Sequence, residues 1–151
     1  MPLFAGQSRE QLRRSYLDAW QCHARRQVLS PLQAQIVAVL EDHPEYSSWL
    51  ERGETALHAD FLPEGGAANP FLHLGMHLAI RDQVATDRPA GVRDIHHHLA
   101  ARHSGDPHAA EHDMMESLGR ALWEAQRAGT APDESAYLLD LRKLRGTRSV
   151  R

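Results

Sequence analysis

The sequence predicts an all-α protein, a single-domain bundle of six or seven helices over residues 1–146 followed by a flexible tail at 147–151. Three observations predict it. Apolar residues recur at three- and four-residue steps, capping and proline signals open segments that glycines then close, and no segment alternates with period two over strand length. At 151 residues the chain is long enough to bury a core without disulfides or a structural metal, so any metal has to be argued from a site.

Ser8 and Gln11 have the form of a capping box, and Leu12, Tyr16, Trp20 and Ala24 follow every four residues, which predicts a first helix over about 9–28. Ser30, Pro31 and Gln33 repeat the start signal for a second helix, whose apolar face is Leu32, Ile36, Val39 and Leu40. It ends at His43-Pro44, because the residue before proline is pushed out of the α region. A shorter helix from Pro44 to about Arg52 stops at Gly53. Residues 53–69, with three glycines and one proline, form the long connection, the segment expected to be most open to proteases.

Asn69-Pro70 opens the most regular helix, 70–86, which Thr86-Asp87-Arg88-Pro89 closes. A helix over about 91–103 carries Val92, Ile95 and Leu99 on one stripe and stops at Gly105. Asp106-Pro107 starts another that runs to Ala128 before Gly129. Thr130 with Asp133 is a capping-box candidate for the terminal helix, whose face is Tyr137, Leu138, Leu141 and Leu144.

Charge and cysteine content narrow the function classes. Seventeen Lys plus Arg against twenty Asp plus Glu leave a formal charge of -3, so general nucleic-acid binding is not expected. Arg13-Arg14 and Arg25-Arg26 are expected to form a solvated basic edge on the first helix. The single cysteine, Cys22, lacks a CxxC partner and fits a reducing, cytoplasmic setting. Neither a secretory leader nor a membrane span is expected, since no apolar run is long enough.

The chemistry rests on the 11 histidines. His73 and His77 are four apart on a helix, with Cβ atoms roughly 6 Å apart on one face, and the same line continues through Ile80 and Val84. His108 and His112 repeat the spacing, and their line continues through Met115, Gly119 and Leu122. Two such inward pairs supply four imidazole nitrogens, a set suited to a transition metal such as Zn or Fe and not to Mg or Ca. Glu111, beside His112, is a candidate carboxylate ligand, an orienting partner for an imidazole, or a general base. Two other readings stand beside the metal: a buried network of histidines and carboxylates in a metal-free structural or protein-interaction module, and mostly exposed histidines.

Several features are weaker signals. His108-Ala-Ala-Glu-His112 matches the H-x-x-E-H order of inverted zinc peptidases, but five residues on a chain this short carry little weight. His96-His97-His98 cannot converge on one ion, because helical neighbours point about 100° apart, and are expected on a partly solvated face. His43 is expected to cap or pack its turn, with service as an extra ligand the lesser reading; His23, His58 and His103 carry no specific signal. Gly75 and Gly119, inside the two histidine helices, are expected to mark close helix approach. Met76, Met114, Met115, Trp20, Trp49 and Trp123 are expected in the core.

The segments Asn69–Gln83 (NPFLHLGMHLAIRDQ) and His108–Glu116 (HAAEHDMME), with the later Leu122-Trp123, resemble a bacterial family known as domain of unknown function number eighteen-forty-one. The likeness extends from about Trp20, through His43-Pro44-Glu45-Tyr46, to the terminal helix. Where the family's pattern often carries a further histidine after the His-Pro-Glu-Tyr element, this chain has Ser47. The resemblance implies no established activity. The expectation is therefore a cytoplasmic helical protein that binds a transition metal through His73, His77, His108, Glu111 and His112; a homo-oligomer or a protein partner is conceivable, and a membrane is not expected.

Overall fold

The computed structural model describes residues 9–53, 55 and 70–146. Among them are seven α-helices, a single 3-10 turn and no strand, as the periodicity predicts. Ser8 of the first capping box, most of the 53–69 connection with His58, the Asn69 cap and the 147–151 tail lie outside the described residues. The chain divides into two compact units, one up to Leu78 and the other from Ala79.

The first unit holds α1 (Arg9–Ala24), α2 (Pro31–Glu41), the 3-10 turn Pro44–Tyr46, α3 (Ser47–Arg52) and the start of α4 (Pro70–Thr86). α1 is shorter than the expected 9–28, because Arg26 takes a left-handed backbone (φ 57°) that ends the helix. Its inward line is Arg13, Tyr16 and Leu17, with Trp20 half-buried and Ala24 exposed. Arg13 is thus buried and not part of a solvated edge; its guanidinium lies 4.7 Å from the centre of the Phe71 ring, where a planar cation gains from an aromatic face. α2 opens on the predicted box: Gln33 N–H donates to Ser30 Oγ at 3.1 Å and Ser30 N–H to Gln33 Oε1 at 2.9 Å. Tyr16, Ala19, Ile36, Val37, Val39, Leu40, Leu74 and Leu78 form the core, with Tyr46, Leu50 and Phe71 packed against it. Burial raises the Tyr16 phenol well above its ordinary pKa.

The second unit continues α4 and adds α5 (Val92–Arg102), α6 (Pro107–Ala128) and α7 (Glu134–Gly146). α5, α6 and α7 pack on one another in all three pairings. The stripe Val92, Ile95 and Leu99 is buried as predicted, together with Met114, Leu118, Tyr137 and Leu141. Asp106 caps α6 by accepting from His108 N–H at 3.0 Å, and Gly129 closes it at φ 67°. At α7 the cap is Asp133 alone, which accepts from Ala136 N–H at 3.0 Å; Thr130 lies too far back, in the turn after Gly129. Tyr137 donates to Gln83 Oε1 at 2.7 Å, pairing two buried polar groups across α7 and α4.

Two further expectations are corrected. Trp123 is 56% exposed, with the Arg127 guanidinium over its ring, because α6 turns its opposite face inward; Trp20 and Trp49 are half-buried. Gly75 and Gly119 do not mark tight approach among the described residues: a Cβ at Gly75 would meet only the Tyr16 hydroxyl, at an ordinary 3.5 Å, and one at Gly119 nothing within 4 Å.

Candidate metal centre

In the first unit, helical spacing puts His73 and His77 on one face of α4, and the 3-10 turn brings His43 onto the same pair. His73 Nε2 lies 3.1 Å from His43 Nε2 and 3.2 Å from His77 Nε2. His43 and His77 are 2% and 0% exposed, so both rings are shielded from water. The Tyr46 ring stacks on His43 at 5.4 Å between centroids and meets His73 edge-on at 6.3 Å. Burial, and then the neighbouring Glu45 charge, push the Tyr46 phenol above its ordinary pKa.

The proton arrangement follows from the donors. His43 Nδ1 is 2.7 Å from the Val39 carbonyl, which only accepts, so in a neutral ring the proton sits on Nδ1 and Nε2 presents a lone pair. His73 Nε2 offers either one N–H or one lone pair in the ring plane. If it carries the proton and directs it at His43, no proton points along the His77 contact from that side; if it is bare, two lone pairs face each other across the 3.1 Å to His43. One proton serves one contact, whereas a cation among the three nitrogens serves both. Tetrahedral ligands at about 2.0 to 2.1 Å from an ion stand about 3.3 Å apart, close to the observed separations.

In the second unit, His108 and His112 stack edge to face on α6, ring centroids 4.5 Å apart. Along their line Met115 is buried, Gly119 half-buried and Leu122 exposed. His108 is half-buried and His112 exposed, while the buried line of α6 runs through Glu111, Met114, Met115, Leu118 and Ala125. The apolar residues three, four and seven positions beyond Glu111 set the inward direction and carry the carboxylate with them. A buried carboxylate needs a partner, and Arg81 provides it: its Nε donates to Glu111 Oε1 at 3.0 Å and Oε2 at 3.2 Å. His96 Nε2, buried and without a hydrogen-bond partner among the described residues, stands 4.0 Å from Glu111 Oε2. His97 and His98 are exposed as expected, so His96 alone of the tract turns inward.

A family model described as domain of unknown function (DUF1841) matches residues 8–143. The chain belongs to this family. Both histidine helices of this DUF1841 chain lie inside the matched residues. No curated protein and no solved structure matches it.

His43 packs in its turn as expected, buried, bonded to the Val39 carbonyl and stacked on Tyr46, while its approach to His73 and the inward turns of His96 and Arg81 are not among the sequence expectations. Arg81 had a signal, being one further turn along the His73–His77 line, and His43 had one in preceding Pro44, which fixes the turn. His96 had none, because periodicity places it only at the margin of the Ile95–Leu99 stripe.

Proposed function

We propose that this protein binds a transition metal ion, Zn or Fe, through the paired histidines of α4 and α6, with His43 as an added donor. The candidate ligands are those expected from the sequence, His73, His77, His108, Glu111 and His112, and His43 joins the first pair in its own unit. The observation that carries the reading is the set of three Nε2 atoms of His43, His73 and His77, at 3.1 and 3.2 Å, which hydrogen bonding through one proton does not serve and one cation does. The Val39 carbonyl supports it further: a metal-ligating histidine commonly donates its other ring N–H in this way, which fixes the tautomer and the ring plane. Imidazole donors favour Zn, Fe, Ni and Cu over Mg and Ca.

Metal analysis of the purified, untagged protein tests the proposal. Stoichiometric metal is expected, and His77→Ala and His112→Ala should each lower it together with the melting temperature. If wild-type protein carries no metal, and added Zn or Fe leaves its melting temperature unchanged, the histidines form a metal-free network instead.

A further inference from the structure

We propose that Tyr46 is a positioning residue for metal binding: its ring holds His43 and His73 in the arrangement that a small transition-metal ion requires, before any ion arrives. The inference rests on the metal reading above and uses the first unit alone, which holds His43, Tyr46, His73 and His77 together. The local sequence places the ring. Pro44 fixes the start of the turn, and Tyr46 N–H donates to the His43 carbonyl at 3.0 Å to close it. Residues three apart eclipse in a 3-10 turn, so the Tyr46 ring comes to lie over the His43 ring, 5.4 Å between centroids and 6° between planes. The same ring meets His73 of α4 edge-on, at 6.3 Å and 80°. One side chain, itself packed against the core of the unit, therefore touches two candidate ligands on different elements.

Two freedoms of an imidazole matter to an ion: the direction in which its nitrogens point and the tilt of its plane. For His43 the Val39 carbonyl, 2.7 Å from Nδ1, sets the first, and stacking on Tyr46 sets the second. With both set, His43 Nε2 stands 3.1 Å from His73 Nε2, which in turn stands 3.2 Å from His77 Nε2. Those separations suit nitrogens about 2.0 to 2.1 Å from an ion and are too short for the longer bonds of a larger ion such as Cd(II). A trio held at that spacing gives up little freedom on binding and favours the smaller ion, whereas a trio free to spread accepts either. Tyr46 thus acts through His43 and His73, on affinity and on the choice between ions of different size.

The test titrates Zn(II) and Cd(II) separately into wild-type, Tyr46→Phe and Tyr46→Leu proteins by calorimetry, with circular dichroism recorded on the chelator-treated proteins. Tyr46→Phe keeps the flat ring, and its Zn(II) affinity is expected within about threefold of wild type. Tyr46→Leu keeps apolar bulk without a flat face. Its Zn(II) affinity is expected to fall by about tenfold or more and its Cd(II) affinity by less, so that the preference for Zn(II) narrows. A merely structural role would lower both affinities alike. Folded Tyr46→Leu with Zn(II) affinity within about threefold of wild type, or with equal losses for the two ions, overturns the proposal. If Tyr46→Leu does not fold, wild-type protein decides: nuclear Overhauser contacts between the Tyr46 and His43 rings are expected in metal-free and Zn(II)-loaded protein alike, and their absence from the metal-free state overturns the proposal. Wild-type protein that binds neither ion overturns the metal reading itself, and this inference with it; wild-type protein that binds Zn(II) while the variants depart from the pattern overturns this inference alone.

Discussion

Replacing His73 with alanine should cost more stability with metal than without it, because His73 Nε2 stands between two other imidazole nitrogens. In metal-free protein the substitution removes the His73 contacts of buried His43 and His77, so stability should fall by about 1–3 kcal/mol, the cost of a lost partner at a buried polar group. With Zn(II) present the balance changes. At a free concentration 100 times its Kd, wild-type protein gains about 2.7 kcal/mol from binding. If the loss of one imidazole weakens binding by about 100-fold, the variant at the same concentration gains only about 0.4 kcal/mol. The difference, about 2.3 kcal/mol, corresponds to about 5–9 °C in melting temperature for a chain of this size. Differential scanning calorimetry of both proteins, after chelator treatment and again with buffered Zn(II), measures the four melting temperatures required. Equal zinc-induced shifts in the two proteins would refute the reasoning, as would a drop well beyond about 3 kcal/mol in chelated His73→Ala, which would make the cluster a hydrogen-bonded structural network.

Other outcomes follow from the same geometry. Tyr137→Phe should cost about 1–3 kcal/mol in urea denaturation by leaving the buried Gln83 Oε1 without its donor, and Gln83→Met in the same chain should recover part of the loss. Burial raises the pKa of the Tyr137 phenol, although the Gln83 hydrogen bond lowers it in part, so its neutral form favours the folded state. That contribution is fully present below the ordinary tyrosine value of about 10 and is lost as the pH rises toward the higher folded value; melting temperature should therefore fall above about pH 10, as phenolate absorbance appears on unfolding. Asp106→Ala should destabilise the protein by about 0.5–2 kcal/mol through loss of the α6 cap, measured by the same denaturation. His97→Ala, on the exposed side of α5, should change neither metal content nor melting temperature.

Local rules determined much of this protein. The Ser30–Gln33 box, Asp106-Pro107, and the glycines at 53 and 129 act over one turn of chain, and each begins or ends the helix expected of it. The four-residue spacing of His73 and His77 put two imidazoles together for the same reason, since one helix fixes their separation. What lay beyond that reach needed the tertiary structure. Thirty residues separate His43 from His73, and only the packing of the 3-10 turn makes them neighbours at 3.1 Å. The direction of α6 also had to be decided by packing: either the histidine line or the Glu111–Met114–Leu118 line is compatible with a helical period, and Met114 and Leu118, which bury deepest, select the second. Arg13 and Arg81, read from sequence as surface charge or not at all, turn inward because an aromatic face and a buried carboxylate wait for them. Sequence spacing carries the geometry within a helix, whereas the partner of a charge is set by which helices the burial of apolar surface has brought alongside.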